Sequence, residues 1–364
     1  MPFILQERVS LKPLNTFGVE AQARFLARID CADDLRRLHD DVRVRGLPQL
    51  VLGGGSNVLF AGDFDGLVIR PLPRGIEDLG ERDGAHFVRV GAGEPWADVV
   101  ERLVQAGLPG LENLALIPGL TGAAPIQNIG AYGLELAERL HEVLAWNPGT
   151  AALETLSVEA CELGYRDSAF KRDGRPPAGA GAPPGPGATR IVLAITVRLP
   201  RPWQPVTGYG ELERELALRA CTQPTAADIF AAVCALRRRK LPDPLQCGNA
   251  GSFFKNPIVG RSQHAELIER FPSLVSYPLA GGRYKIGAGW MIEACGLKGF
   301  TRGKAGVFEN QALVLVNRGG ARGADILALA REVQERVQSR FGIRLEPEVR
   351  IAGTEATPAV AAVG

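Results

Sequence analysis

The chain has 364 residues, 46% of them hydrophobic and 23% charged, and a formal net charge of +2. That length exceeds one ordinary core, so two or three domains are expected. The balanced charge offers no electrostatic case for nucleic acid or a membrane surface, and six cysteines without a C-x-x-C pair, with four scattered histidines, supply neither a disulfide framework nor a metal site.

The N-terminal MPFILQERVS is too short and too soon charged for a secretory signal, and a reducing cytosol is the expected setting. Redox chemistry would then belong to a bound organic cofactor. Residues 23–29 read as a strand, 32–45 as a helix and 49–52 as a buried strand. The last runs into Gly53, Gly54, Gly55, Ser56 and Asn57. This turn is neither a Walker loop nor the G-x-G-x-x-G fingerprint, so it is either a plain turn or a phosphate cradle. Residues 88–90 read as a strand, followed by GAGEPW and a helix over 95–106 that Pro95 opens and Gly107 stops. The pattern is α/β or α+β.

Residues 113–134, NLALIPGLTGAAPIQNIGAYGL, carry no charged side chain. Their prolines and glycines rule against an uninterrupted apolar helix. Two readings remain, a buried structural loop or backbone that closely approaches a bound anion. GAGEPW and IPGLTGAAP join the glycine triplet as candidate donor loops, and several such loops suit a long diphosphate ligand.

In GYRDSAF, Arg166 either pairs with Asp167 or a neighbour, or aims its guanidinium at a carboxylate or enolate. The Pro/Gly/Ala stretch at 171–190 reads as a mobile surface insertion. A strand over 191–199 precedes a second α/β region. There Thr225 and Asp228 cap a helix running through Arg238, and LPDP ends it. GNAGSFFKNP presents Ser252 on a tight turn without a nearby histidine, which suits proton donation better than a triad nucleophile. Residues 312–316 read as a strand. Residues 324–341 read as a helix with Ile326, Ala330, Val333, Val337 and Phe341 on one face. LEPEVR places Glu348 in either a solvated turn or an acid role, and residues 353–364 read as a disordered tail.

NTFG, LGGGSNVLF, GAGEPW, GLENLALIPGLTGAAPIQNIGAYG, GYRDSAF, KLPDP, GNAGSFFKNP and LEPEVR follow one another in this order from about Asn15 to Ile351. In that order they resemble the UDP-N-acetylenolpyruvoylglucosamine reductase (MurB) family, in its longer form with a tyrosine loop over the substrate. The resemblance implies an α+β fold. An FAD-binding domain of vanillyl-alcohol-oxidase (PCMH) type would be built from two α+β subdomains, 1–72 with a returning strand at about 346–352, and 73–200. A UDP-sugar domain would span 201–345. It further implies tightly bound, non-covalent FAD, NADPH as hydride donor, and UDP-N-acetylglucosamine enolpyruvate as substrate, the two substrates sharing one pocket in turn. Other implied properties are a cytoplasmic monomer of peptidoglycan synthesis, with no nucleic-acid or membrane partner and no metal.

The same resemblance carries over Arg166, Ser252 and Glu348 as the catalytic set. Arg166 and Glu348 would hold the enolate, with Glu348 sharing or holding a proton. Ser252 would protonate the neighbouring carbon, with Lys255 or a water assisting. Gly53, Gly54, Gly55, Ser56, Asn57, Ile117, Pro118, Gly119, Gly122, Ala123, Asn128 and Gly130 would contact FAD, the phosphates meeting backbone N–H groups. Tyr132, Tyr209, Lys240, Asn256 and Gln311 would contact the substrate, Tyr209 and Lys240 at its diphosphate. The chain departs from the pattern at Ala123 and Ala124, where relatives often have serines, so hydroxyl contacts are not expected there.

Overall fold

The computed structural model describes residues 3–173 and 189–353. The expected mobile insertion is mostly, and the expected tail almost wholly, outside these described residues. The first sheet orders its strands Leu5–Ser10, Gln22–Ile29, Phe64–Pro71, Gln49–Val51. The first pairing is antiparallel and the other two are parallel. Helix Ala32–Asp40 stops short of the expected 45 because Asp41 is extended and its side chain accepts from the Arg43 N–H. A local side-chain acceptor of this kind competes with helix continuation.

The second sheet is antiparallel, ordered Ala152–Ser157, Leu140–Asn147, Ile191–Pro200, Ala85–Gly91, Ile76–Arg82. Helix Trp96–Gln105 buries Trp96, Val99, Val100 and Leu103 in its core. Ile229, Ala232, Val233 and Leu236 of helix Ala226–Lys240 join the same core. The start of the 201–345 region is therefore docked on the second sheet. Thr225 caps that helix through the Asp228 N–H, as its spacing predicts.

A third sheet orders Gly248–Ser252, Val314–Asn317, Ala305–Val307, Thr301–Arg302. The strand expected over 312–316 starts at Val314 because a turn, Val314 N–H to Gln311 O at 3.0 Å, occupies its first residues. Helix Gly323–Phe341 buries the expected stripe of Ile326, Ala330, Val333, Val337 and Phe341. Arg350–Ala352 then pairs in parallel with Val58–Phe60, so the chain returns to the strand that follows the glycine triplet. The uncharged run is not a helix. It winds through short 3-10 turns at Thr121–Ala123 and Pro125–Gln127 and a small hairpin of Gly130–Ala131 with Leu134–Glu135. Among the described residues no helix is long and apolar enough to cross a membrane.

Candidate active site

Gly53 to Asn57 link the end of Gln49–Val51 to Val58–Phe60 and lie against the loop around Gly119. A Cβ on Gly54 would stand 2.9 Å from Gly119 Cα. One on Gly55, whose φ is +67°, would stand 2.0 Å from Leu14 O. Only glycine fits either position. Ser56 Oγ donates to Pro118 O at 2.9 Å and ties the two loops together. Among the described residues, no protein acceptor takes the N–H groups of Gly53, Gly54, Gly55, Ser56, Asn57, Ile117, Gly119 or Leu120. Backbone donors left unused by the protein normally meet water or a ligand, and loops like these make anion sites.

The neighbouring donors are spent. Gly122 N–H goes to Ala92 O at 2.9 Å and Ala123 N–H to Leu120 O at 2.9 Å. Neither N–H is therefore free for a bound anion. GAGEPW is likewise no donor loop. Its Ala92, Gly93 and Glu94 N–H groups go to Leu193 O, Pro73 O and Gly91 O. Gly93 is needed because a Cβ would meet Leu72 O at 2.4 Å.

Arg166 sits in a tight turn closed by Gly164 and Asp167, with φ of +54°. Such a backbone is unfavourable for a side chain of this size and persists only where surroundings hold it. Nη1 donates to Asn128 O at 3.4 Å and Nη2 to Gly130 O at 3.1 Å. Nε lies 2.8 Å from Glu348 Oε1. That N–H has no aligned hydrogen-bond acceptor, so the contact is a close approach of the two side chains. The alternative pairing with Asp167 is not formed, because Asp167 pairs with Arg172. Burial pushes the Glu348 carboxyl above the usual carboxylate range, and Arg166, Lys171 and Lys255 only partly offset it.

Ser252 ends the strand Gly248–Ser252, and the chain beyond it runs beside Glu348. Glu348 N–H donates to Phe253 O at 2.8 Å, and Lys255 N–H donates to Glu346 O at 2.9 Å. Asn57 Nδ2 donates to Glu348 O at 3.3 Å, which joins the glycine loop to the same segment. The backbone thus brings the serine strand, the glutamate and the cradle together. Lys255 is not aimed at Ser252, since its ammonium pairs with Glu346 at 2.6 Å.

Asn128 is a brace. Its Nδ2 donates to Glu135 at 2.8 Å and Gly164 O at 3.1 Å, and its Oδ1 accepts from Ala137 N–H at 2.9 Å. Its side chain is committed to the protein, and what it offers the site is the carbonyl under Arg166. Asn256 Oδ1 accepts from Ala288 N–H at 2.9 Å. Gln311 makes one long contact, from Leu313 N–H at 3.4 Å.

Tyr132 and Tyr209 meet edge to face with centroids 5.5 Å apart. Crowding around the Tyr209 hydroxyl pushes its pKa up to about 12, with Glu211, Tyr277 and Tyr132 adding to the shift. The residue as a whole is 39% exposed. Lys240 is paired with Glu211 and is not a free cation. Arg237, one turn earlier on that helix, was not singled out from sequence. Its Nε is buried without a hydrogen-bond partner, burial pulls its pKa down, and no carboxylate pairs with it among the described residues. Lys285 was missed too. Its Nζ lies 5.0 Å over the Tyr165 ring and 5.8 Å over Tyr277. The signal for Arg237 was its spacing from Lys240, which places both on one helix face. A cavity of about 580 Å³ elsewhere, lined by Lys12, Phe17, Cys247 and Arg318 among others, shares no residue with this cluster.

A family model for the UDP-N-acetylenolpyruvoylglucosamine reductase C-terminal domain matches residues 243–352, and one for an FAD binding domain matches 23–154. The reductase of that name from Paraburkholderia xenovorans is 52% identical over 340 residues, 93% of this chain and 95% of the relative. That from Ralstonia nicotianae is 52% identical over 338 residues, 92% of this chain and 95% of the relative. The crystal structure of UDP-N-acetylenolpyruvylglucosamine reductase from Thermus caldophilus superposes with a TM-score of 0.61 at 26% identity, covering 96% of this chain and 99% of that one. The cradle fits the FAD match. Its donors are unspent, its glycines admit close approach, and residues 53–57 and 117–120 hold no acidic side chain.

Proposed function

The chain belongs to the UDP-N-acetylenolpyruvoylglucosamine reductase family, and we propose from that premise that Arg166, Ser252 and Glu348 carry its chemistry. As a member it is an FAD-dependent enzyme that uses NADPH to reduce UDP-N-acetylglucosamine enolpyruvate to UDP-N-acetylmuramate, in peptidoglycan precursor synthesis. FAD, held by residues 53–57 and 117–120, would supply hydride transfer from NADPH to the enolpyruvyl methylene carbon.

Hydride addition moves negative charge into the substrate carboxylate as an enolate. Arg166 answers that charge while two backbone carbonyls fix its plane. Its remaining N–H groups stay available to a ligand carboxylate, because a guanidinium carries five. Glu348 in ionised form would cancel Arg166. Burial raises its pKa, and its protonated form would donate to the enolate and leave the arginine charge unspent. The observation that carries this reading is that contact between Arg166 and the raised, buried Glu348. Ser252 protonates the adjacent carbon.

Residues 53–57 and 117–120 cradle the FAD pyrophosphate, and Gly122, Ala123, Asn128 and Gly130 shape the wall beside it. Tyr132, Tyr209 and Arg237 receive the UDP diphosphate, with Lys240 holding the Tyr209 loop through Glu211 until a ligand arrives. Asn256 and Gln311 line the sugar side. The proposed division is 1–72 with 346–352, 73–200, and 201–345, the last with helix Ala226–Lys240 joining the core of the second sheet. A monomer in the cytoplasm completes the reading, since NADPH and UDP-sugars are charged nucleotides that do not cross membranes unaided.

Anaerobic titration tests it. NADPH should bleach the flavin band, and the enolpyruvyl substrate should restore it where simple alcohols do not. A protein that cannot be loaded with FAD, or one reoxidised equally by alcohols, would refute the reading.

A further inference from the structure

The segment Asn15 to Gly18 lies between the cofactor cradle and the strand that ends at Ser252. Thr16 N–H donates to Gly55 O at 3.1 Å, and Asn249 N–H donates to Thr16 O at 3.0 Å. Thr16 Oγ1 lies 2.6 Å from Asn249 O and 3.2 Å from Gly55 O. A hydroxyl has one proton, and the shorter distance assigns it to Asn249. One residue therefore holds the glycine loop with its N–H and the serine strand with its hydroxyl and carbonyl.

The surrounding contacts keep this residue in place. Asn15 is buried, and its Nδ2 donates to Leu11 O at 2.8 Å and Val19 O at 3.0 Å. Asn317 Nδ2 donates to Phe17 O at 2.9 Å. A Cβ on Gly248 would stand 2.2 Å from Phe17 O, so the strand is pressed against the segment. Asn249 pairs with Val316 and Ser252 with Val314, with an irregularity between them. Thr16 thus grips the near end of a strand whose far end presents the proton donor.

We propose that Thr16 is a positioning residue that sets the distance between the cofactor cradle and Ser252. This inference rests on the proton-donor role given to Ser252 above. The reaction loads hydride and proton onto adjacent carbons, so the two delivering groups must be spaced to within about a bond length. Misplacement of about 1 Å costs about a hundredfold in rate. Reduction of the flavin by NADPH needs no such spacing, because Ser252 takes no part in it.

The test uses the FAD-loaded enzyme and follows the flavin band in two separate steps, bleaching by NADPH and recovery with the enolpyruvyl substrate. Thr16→Val keeps the shape and removes the hydroxyl. It should slow recovery about tenfold and change bleaching by less than about twofold, and Thr16→Ser should restore recovery. In the Ser252→Ala background the valine should add no further slowing, since its effect runs through that serine. Equal slowing of both steps, or full additivity with Ser252→Ala, would show a merely structural role and overturn the proposal. If Ser252→Ala alone leaves recovery unchanged, the serine's own role falls and the positioning role falls with it. Should Thr16→Val fail to hold FAD, Thr16→Ala serves the same comparison.

Discussion

Replacing Gly54 by alanine puts a methyl carbon 2.9 Å from Gly119 Cα, 3.3 Å from Gly119 C and 3.5 Å from Leu120 N. All three are backbone atoms, so no side chain can swing away. Ordinary contact begins at 3.4 Å, and the loops must separate by about half an ångström at the closest point. Overpacking of this kind costs about 1–3 kcal/mol. Separation moves the free N–H groups of Gly53–Asn57 relative to those of Gly119 and Leu120, which together are proposed to hold one pyrophosphate. The overpacking cost falls on stability; what the binding constant loses is good geometry at one charge-assisted bond, worth about 1.5–3 kcal/mol. The expected result is about a 10–100-fold weaker FAD dissociation constant, which corresponds to about 1.4–2.7 kcal/mol. Titrating apoenzyme with FAD and following quenching of flavin fluorescence measures it. Gly260→Ala is the control, because nothing lies within 4 Å of its added carbon. Unchanged FAD affinity in Gly54→Ala, with the fold intact, would refute the assignment of these facing loops as the cradle.

Three further outcomes are expected. Because burial raises the Glu348 pKa, its acid form persists above the ordinary carboxylate range and is lost as pH rises through the folded value. Substrate-driven reoxidation should therefore fall on the alkaline side, and Glu348→Gln, which cannot ionise, should lose that limb; an unchanged limb would reassign it. Arg237→Met should raise KM for the UDP substrate by about 10–100-fold, the worth of one charged hydrogen bond, with kcat nearly unchanged. Since desolvation disfavours the charged guanidinium and its Nε has no hydrogen-bond partner, the variant's melting temperature should not fall, and an unchanged KM would remove Arg237 from the diphosphate site. Asn113→Ala strands the carbonyls of Tyr132 and Val206, each bonded at 2.8 Å, and should cost about 2–4 kcal/mol in chemical denaturation. A loss under about 0.5 kcal/mol would mean water replaces the amide.

What could be read from the chain was what is encoded locally. The stripe Ile326, Ala330, Val333, Val337 and Phe341 reports its own helix, because burial repeats with the helical period. Glycine signals a backbone constraint but not its purpose. Gly54 and Gly93 look alike in sequence, yet one borders unspent donors while the other lets the chain pass Leu72 with its donors used internally. That difference depends on which strands lie alongside, and no local pattern records it. The same holds for charge. GYRDSAF offers Asp167 as the obvious partner of Arg166, but the left-handed backbone at Arg166 turns its side chain onto the carbonyls of Asn128 and Gly130 and toward Glu348. Glu348 reaches that point because Arg350–Ala352 pairs beside Val58–Phe60, directly after the glycine loop. That pairing forms a two-stranded sheet of its own and carries Glu348 up to the glycine loop. If Glu348 is the acid and the glycine loop the cofactor cradle, as proposed, loosening the returning strand should disturb cofactor binding and substrate reduction together.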